Sequence, residues 1–138
     1  NLKMKINSFI FKTIKNKNTI IFYNYAKKSK ILHLKKKGAH LIKLNLNKKN
    51  FFEFKLILKK LYALGCRNLL VEGGNVLSRD ILKNRLFNEF YLFKSKKKLS
   101  KLGLYKKIDF LELLRKNYKK KTKINLKFGK DAITTFRK

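Results

Sequence analysis

Glu72-Gly73-Gly74-Asn75 brings an acid, two adjacent glycines and a helix-capping residue into direct succession. The apolar run Leu69-Leu70-Val71 precedes it, and Val76, Leu77, Ile81 and Leu82 follow at helical spacing, so the stretch reads as strand, tight loop and helix. Such a strand delivers Glu72 to the C-terminal edge of a sheet, where open α/β folds place their ligands. Glycine at that edge lets backbone N–H groups approach a phosphate that a Cβ would hold away, and the helix N-terminus favours negative charge. Asn75 is expected to cap the helix through its side-chain oxygen. Together these features suit a phosphate or dinucleotide site. The spacing matches neither G-x-G-x-x-G nor a Walker A loop, and an ordinary strand-to-helix turn is the competing reading.

The remaining chemistry-bearing residues narrow the choice. Cys66 is the single cysteine, which excludes an internal disulfide and a cysteine-based zinc cluster, and points to an intracellular, cytoplasmic setting. His33 and His40 have no companion at metal-ligand spacing, so no metal site is expected. No apolar run reaches the ~18 residues of a membrane-spanning helix.

The 138 residues carry 38 basic and 7 acidic side chains, a formal net charge of +31, which ordinarily suggests a nucleic-acid or anionic-membrane partner. Only Arg67, Arg79, Arg85, Arg115 and Arg137 among those cations are arginine, the residue that reads bases and phosphates bidentately. Lysine is accompanied by Asn, Ile, Leu, Phe and Tyr, with no proline or tryptophan, as a genome biased towards A and T codons would give. The charge is therefore read mainly as composition, without a nucleic-acid partner. Apolar residues at 44% and aromatics at 13% supply a core for one domain spanning residues 1–138.

Around the central loop, the opening Asn1–Lys17 has no clear period and is read as irregular, with a short helix or strand at Ser8–Phe11. Thr19–Tyr23 and Ala39–Leu44 read as strands, with a lysine-rich helix or loop from Ala26 to Lys37 closed by Gly38. Asn50 is expected to cap a helix from Phe51 to Leu64, burying Phe51, Phe54, Ile57, Leu58, Leu61 and Tyr62 on one face. Phe87–Phe93 is a strand, with Glu89 facing water or pairing with a lysine. Lys94–Lys107 is a loop and Asp109–Tyr118 a helix. Thr122–Phe128 alternates strictly, Gly129–Asp131 turns, and Ala132–Phe136 returns as its hairpin partner. The sum is α/β, with a mixed sheet flanked by helices and a C-terminal antiparallel hairpin.

From Leu58 to Phe93, the Ile-Leu-x-x-Leu helix, Gly65, Leu-Leu-Val-Glu-Gly-Gly and Leu86-Phe87-Asn88-Glu89-Phe90-Tyr91-Leu92 resemble the reductase domain of RibD, the bifunctional riboflavin-biosynthesis deaminase and reductase. Phe87 and Asn88 replace that family's usual Val and Asp, Glu89 is retained, and the proline and glycines that shape the family's 94–107 stretch are missing, apart from Gly103. The resemblance implies a dihydrofolate-reductase-like fold, and NADPH-dependent reduction of 5-amino-6-(5-phosphoribosylamino)uracil to its ribitylamino form. By position, Glu72 matches the acid that contacts substrate. Gly74, Asn75, Val76, Leu77, Ser78, Arg79 and Asp80 match the segment lining the NADPH site, with the amides of Gly74, Asn75 and Val76 as diphosphate donors and Arg79 available to a 2′-phosphate. No residue is assigned the catalytic role.

The chain starts after most of the family's N-terminal reductase segment, and no His/Cys/Cys set replaces the zinc deaminase domain that precedes it. The expectation is the later part of a reductase domain from a longer chain that also carries the deaminase, with a homodimer left open and activity of the segment alone in question. Two readings compete with the reductase: a lysine-rich RNA-binding module using Lys27–Lys37 and Lys94–Lys107, and a catalytically degenerate scaffold domain.

Overall fold

A computed structural model describes residues 2, 5, 8–16, 18–95, 110–124 and 131–138. The chain forms two compact units, Asn1–Arg67 and Asn68–Lys138.

In the first unit, helix α1 (Phe9–Thr13) runs into a 3-10 turn at Ile14–Asn16, where the sequence suggested only a short helix or strand. Strand β1 (Ile20–Tyr23), helix α2 (Lys28–Lys36) and strand β2 (His40–Lys43) follow, and β1 and β2 pair in parallel, from Ile20 opposite His40 to Tyr23 opposite Lys43. A parallel pair needs a crossover, which α2 supplies. The backbone continues the pairing one residue past each strand: His40 N–H donates to the Thr19 carbonyl at 2.9 Å and Leu44 N–H to that of Tyr23 at 2.8 Å. Phe11, Ile14, Leu34 and Ala39 form the buried cluster, with Ile21 and Leu41 packed on it. One face of α2, both strands and α1 thus close on a single small core.

Helix α3 (Phe54–Ala63) starts later than its apolar pattern predicted. Asn50 is not the cap. It sits at φ 60° in a turn closed by Asn47, whose Oδ1 accepts from the N–H groups of Lys49 and Phe51 at 2.9 and 3.1 Å. A capping residue has extended backbone, so the left-handed geometry disqualifies Asn50, and Glu53 takes the N-cap position. The predicted buried face is only partly realised. Phe54 is buried and Ile57, Leu58 and Leu61 are half-buried, whereas Phe51 and Tyr62 are exposed. Tyr62 instead carries the Arg67 guanidinium 4.3 Å above its ring, and Arg67 Nη1 donates to the Tyr62 carbonyl at 3.0 Å.

The second unit holds helix α4 (Asn75–Lys83), strand β3 (Glu89–Lys94), helix α5 (Phe110–Asn117) and strands β4 (Lys121–Ile124) and β5 (Ala132–Arg137). β5 lies centrally, antiparallel to both neighbours in the order β3-β5-β4. The terminal hairpin is therefore present, with Ile124 opposite Ile133, while Asn125–Phe128 and the predicted turn residues Gly129 and Lys130 lie outside the described residues. Most of the predicted 94–107 loop lies outside them as well.

Leu82, Leu114, Tyr118 and Phe136 make the core of this unit, with Phe87, Phe90, Leu92 and Phe110 around it. Phe87 meets Phe90 and Tyr118 edge-on, at centroid separations of 6.0 and 5.0 Å, a geometry that sets positive ring edge against negative ring face. The buried Tyr118 hydroxyl donates to the Leu82 carbonyl at 2.8 Å, tying the segment after α5 to the last turn of α4.

The class is α/β, with parallel pairing in β1–β2 and antiparallel pairing in β3-β5-β4. One predicted strand is not formed. Leu69-Leu70-Val71 has no ladder partner among the described residues and is exposed, Leu70 at 83%. Local propensity favours a strand there, but a strand exists only where a neighbour supplies hydrogen bonds.

Candidate functional site at the N-terminus of helix α4

Residues 66–74 form an exposed connection without regular secondary structure that leads into α4. Gly74 occupies the N-cap with φ −78° and ψ −176°, and no side chain caps the helix. The predicted Asn75 cap is thus displaced by one residue: Asn75 is already the first helical residue. The first intrahelical bond runs from Ser78 N–H to the Gly74 carbonyl at 3.1 Å. The N–H groups of Val76 and Leu77 therefore have no acceptor four residues back inside α4, and at such a helix end a phosphate is favoured both by hydrogen bonding and by the helix dipole.

The two glycines are there for different reasons. A Cβ on Gly73 would lie 2.7 Å from Leu77 Cδ2, so Gly73 lets the Leu77 side chain fold back over the turn. A Cβ on Gly74 would meet nothing within 4 Å, and its backbone is one that any residue adopts. Among the described residues nothing requires glycine at 74, and the open space there leaves this side of the turn accessible.

Glu72 is exposed and pairs with no described residue, so its carboxylate is presented to solvent two residues before the N-cap. Along α4 the other predicted residues divide. Val76 is 67% exposed, so its helical spacing with Ile81 and Leu82 does not mark burial; Leu77 is half-buried over Gly73, and Ser78 half-buried. Ile81 and Leu82 form the buried face as expected. Arg79 is exposed one turn further on. Asp80 is turned to a structural use: its backbone oxygen and Oδ1 both accept from Asn84 Nδ2, at 2.9 and 2.8 Å, closing the far end of the helix. The structure therefore brings Glu72, Gly74, Asn75 and Val76 together at one helix end and places Asp80 towards the other.

A second polar cluster lies on β3 and β5. Arg137 stands directly across from Glu89, and its Nε and Nη2 both approach Glu89 Oε1 at 2.9 Å. The Tyr91 hydroxyl donates to the other oxygen, Oε2, at 2.5 Å. The Tyr91 bond, aided by Arg137, holds the Glu89 carboxyl below its usual range, and the same carboxylate raises the Tyr91 hydroxyl above its own. The sequence pairing of Glu89 with a lysine is corrected to an arginine. Strand alternation puts Glu89 and Tyr91 on one face, but only the long-range register selects Arg137.

Among the described residues no three His, Cys, Asp or Glu side chains gather as metal ligands, and no helix is long and apolar enough to cross a membrane.

Comparison with known families decides the relationship. The RibD C-terminal domain family matches residues 1–99, a span that includes the whole Glu72–Asp80 stretch. The chain belongs to that family. RibD C-terminal domains are dihydrofolate-reductase-like, NADP-binding reductase domains of riboflavin biosynthesis, and this chain is accordingly of an oxidoreductase family. No curated protein matches it significantly.

Proposed function

We propose that the chain takes part in NADPH-dependent reduction of 5-amino-6-(5-phosphoribosylamino)uracil to the ribitylamino compound. The observation that carries this reading is the combination of family membership with an open, glycine-capped helix end at the matching Glu-Gly-Gly turn. The cofactor, when bound, supplies a hydride from its nicotinamide C4 to C1 of the ring-opened sugar. The protein's part is to bind, orient and balance charge. Backbone N–H groups of Gly74, Asn75 and Val76 receive the diphosphate, with the positive end of the α4 dipole behind them. Leu77 and Ser78 line the turn, and Arg79 offers positive charge towards a 2′-phosphate. Asp80 supports this end indirectly, by closing the other end of α4 through Asn84. Glu72 presents a carboxylate acceptor to the substrate.

The test is loss of nicotinamide absorbance when the chain is mixed with NADPH and this substrate, with wild type compared with Glu72→Gln. Substrate-dependent oxidation that falls at least tenfold in the folded variant supports the reading. Oxidation that is absent, or equal in the two proteins, overturns it.

A further inference from the structure

Two helices of this chain end in the same way. After α2, Gly38 at φ 90° donates to the Lys35 carbonyl at 2.9 Å, and Ala39 to that of Leu34 at 3.0 Å. After α3, Gly65 at φ 88° donates to Tyr62 at 3.0 Å, and Cys66 to Leu61 at 3.0 Å. Both are Schellman caps with glycine at the left-handed position, the residue that pays no Cβ penalty there. Helix α4 ends with the same pair of bonds, Arg85 N–H to Leu82 at 3.2 Å and Leu86 N–H to Ile81 at 2.9 Å, but the left-handed residue is Arg85, at φ 52°. A long side chain at this angle is uncommon and strained. What the strain achieves is position: Arg85 lines a cavity of about 300 Å³.

Four of the other six lining residues share its charge. Lys119, Lys120, Arg137 and Lys138 surround the cavity together with Tyr118. Tyr118 is held by its bond to Leu82, and Arg137 is fixed by two contacts to Glu89. Two of the chain's five arginines thus meet in one concavity, in a protein whose cations are mostly lysine. Cations are expected near helix C-termini, but each such end carries only about half a unit of negative charge. The ends of α4 and α5 together offset roughly one charge, and Glu89 one more, against five cations.

We propose that this cavity binds the phosphate group of a phosphorylated small molecule. A guanidinium matches phosphate oxygens bidentately; Arg137 already directs Nε and Nη2 at Glu89, so Arg85 supplies that fork and the lysines neutralise the remaining charge. At about 300 Å³ the concavity, though open to solvent, fits a phosphate-sized group and is not the extended basic track that a long polyanion needs. The site is separate from the Gly74 turn: α4's nine residues, at about 1.5 Å each, put roughly 14 Å between its two ends. Of the lining residues named, only Arg85 falls within the family-matched span of residues 1–99, so the site is largely an addition to the matched segment.

The experiment titrates the chain with inorganic pyrophosphate at physiological salt, following backbone amide resonances. Arg85→Gly is the informative variant, because it removes the guanidinium while giving the cap the residue found at the other two. Saturable one-to-one binding is expected, with shifts at Arg85, Tyr118–Lys120 and Arg137, weakened roughly tenfold or more in Arg85→Gly and less than twofold in Lys35→Ala on α2. The proposal is overturned if Arg85→Gly binds as wild type does, if the shifts spread evenly over exposed lysines or fall only at the Gly74 turn, or if an oligouridylate binds and pyrophosphate does not.

Discussion

Replacing Arg85 by glycine should make the protein more stable, although it removes a side chain that lines the basic concavity. The left-handed conformation costs an L-residue roughly 1–2 kcal/mol, because Cβ crowds the following carbonyl, and at φ 52° Arg85 bears that cost. Glycine removes it, but gives back about 0.5–1 kcal/mol through the greater freedom of the unfolded chain. Arg85 also stands among Lys119, Lys120, Arg137 and Lys138, so its removal relieves like-charge repulsion and adds to the gain. The net expectation is stabilisation by about 0.5–1 kcal/mol, an upward shift of about 2–5 °C in Tm. Urea unfolding, with the slope checked for constancy, measures the change. Destabilisation by about 1 kcal/mol or more would refute the reasoning, because the Arg85 side chain would then be holding the cap together instead of straining it.

Further expectations follow from the polar contacts of the same unit. Tyr118→Phe removes one of the two donors to the Leu82 carbonyl and leaves it the Arg85 N–H, so a loss of about 0.5–1.5 kcal/mol is expected on urea unfolding, with the aromatic packing retained. The bond between Tyr91 and Glu89 requires an ionised carboxyl and a protonated phenol. Glu89, held below the usual 4.5, contributes stability above that value that is lost as pH falls through its lowered folded pKa. Tyr91, raised above 10.0, contributes stability below that value that is lost as pH climbs through its raised folded pKa. The stability difference between wild type and Tyr91→Phe should therefore be greatest at neutral pH and shrink on both sides, and a difference that is flat with pH would contradict the assignment.

Much of this architecture is visible in the sequence because it is locally determined. Thr19–Tyr23 and Ala39–Leu44 carry their strand signal in their own residues, and Ile81 and Leu82 mark the buried side of α4 by spacing alone. Pairing is not local. Leu69-Leu70-Val71 has the composition of a strand and no described partner, whereas Glu89 is fixed by Arg137, 48 residues away, through a register that no short window contains. Capping fails by small displacements for the same kind of reason. Asn50 and Asn75 are good capping residues by type, but Asn47 captures the first turn and Gly74 precedes the second. The glycine pair was legible as a close-approach loop. The division of labour between Gly73, which makes room for Leu77, and Gly74, which faces open space, needs the positions of atoms.

That division supplies the most direct test of the central claim, that the N-terminus of α4 receives the NADPH diphosphate. The measurement is NADPH titration of wild type, Gly74→Ala and Gly73→Ala, followed by nicotinamide fluorescence, with each variant's stability recorded beside it. Gly74→Ala should unfold within about 0.5 kcal/mol of wild type, since its Cβ meets nothing and the poorer cap is offset by reduced unfolded-state freedom. Its NADPH affinity should nevertheless fall at least tenfold, because the added methyl stands where the phosphate must approach. Gly73→Ala should lose stability as Leu77 is displaced. Saturable binding by wild type that is lost in Gly74→Ala is the predicted result. Equal affinity in wild type and Gly74→Ala, or no saturable binding by wild type, would contradict the claim.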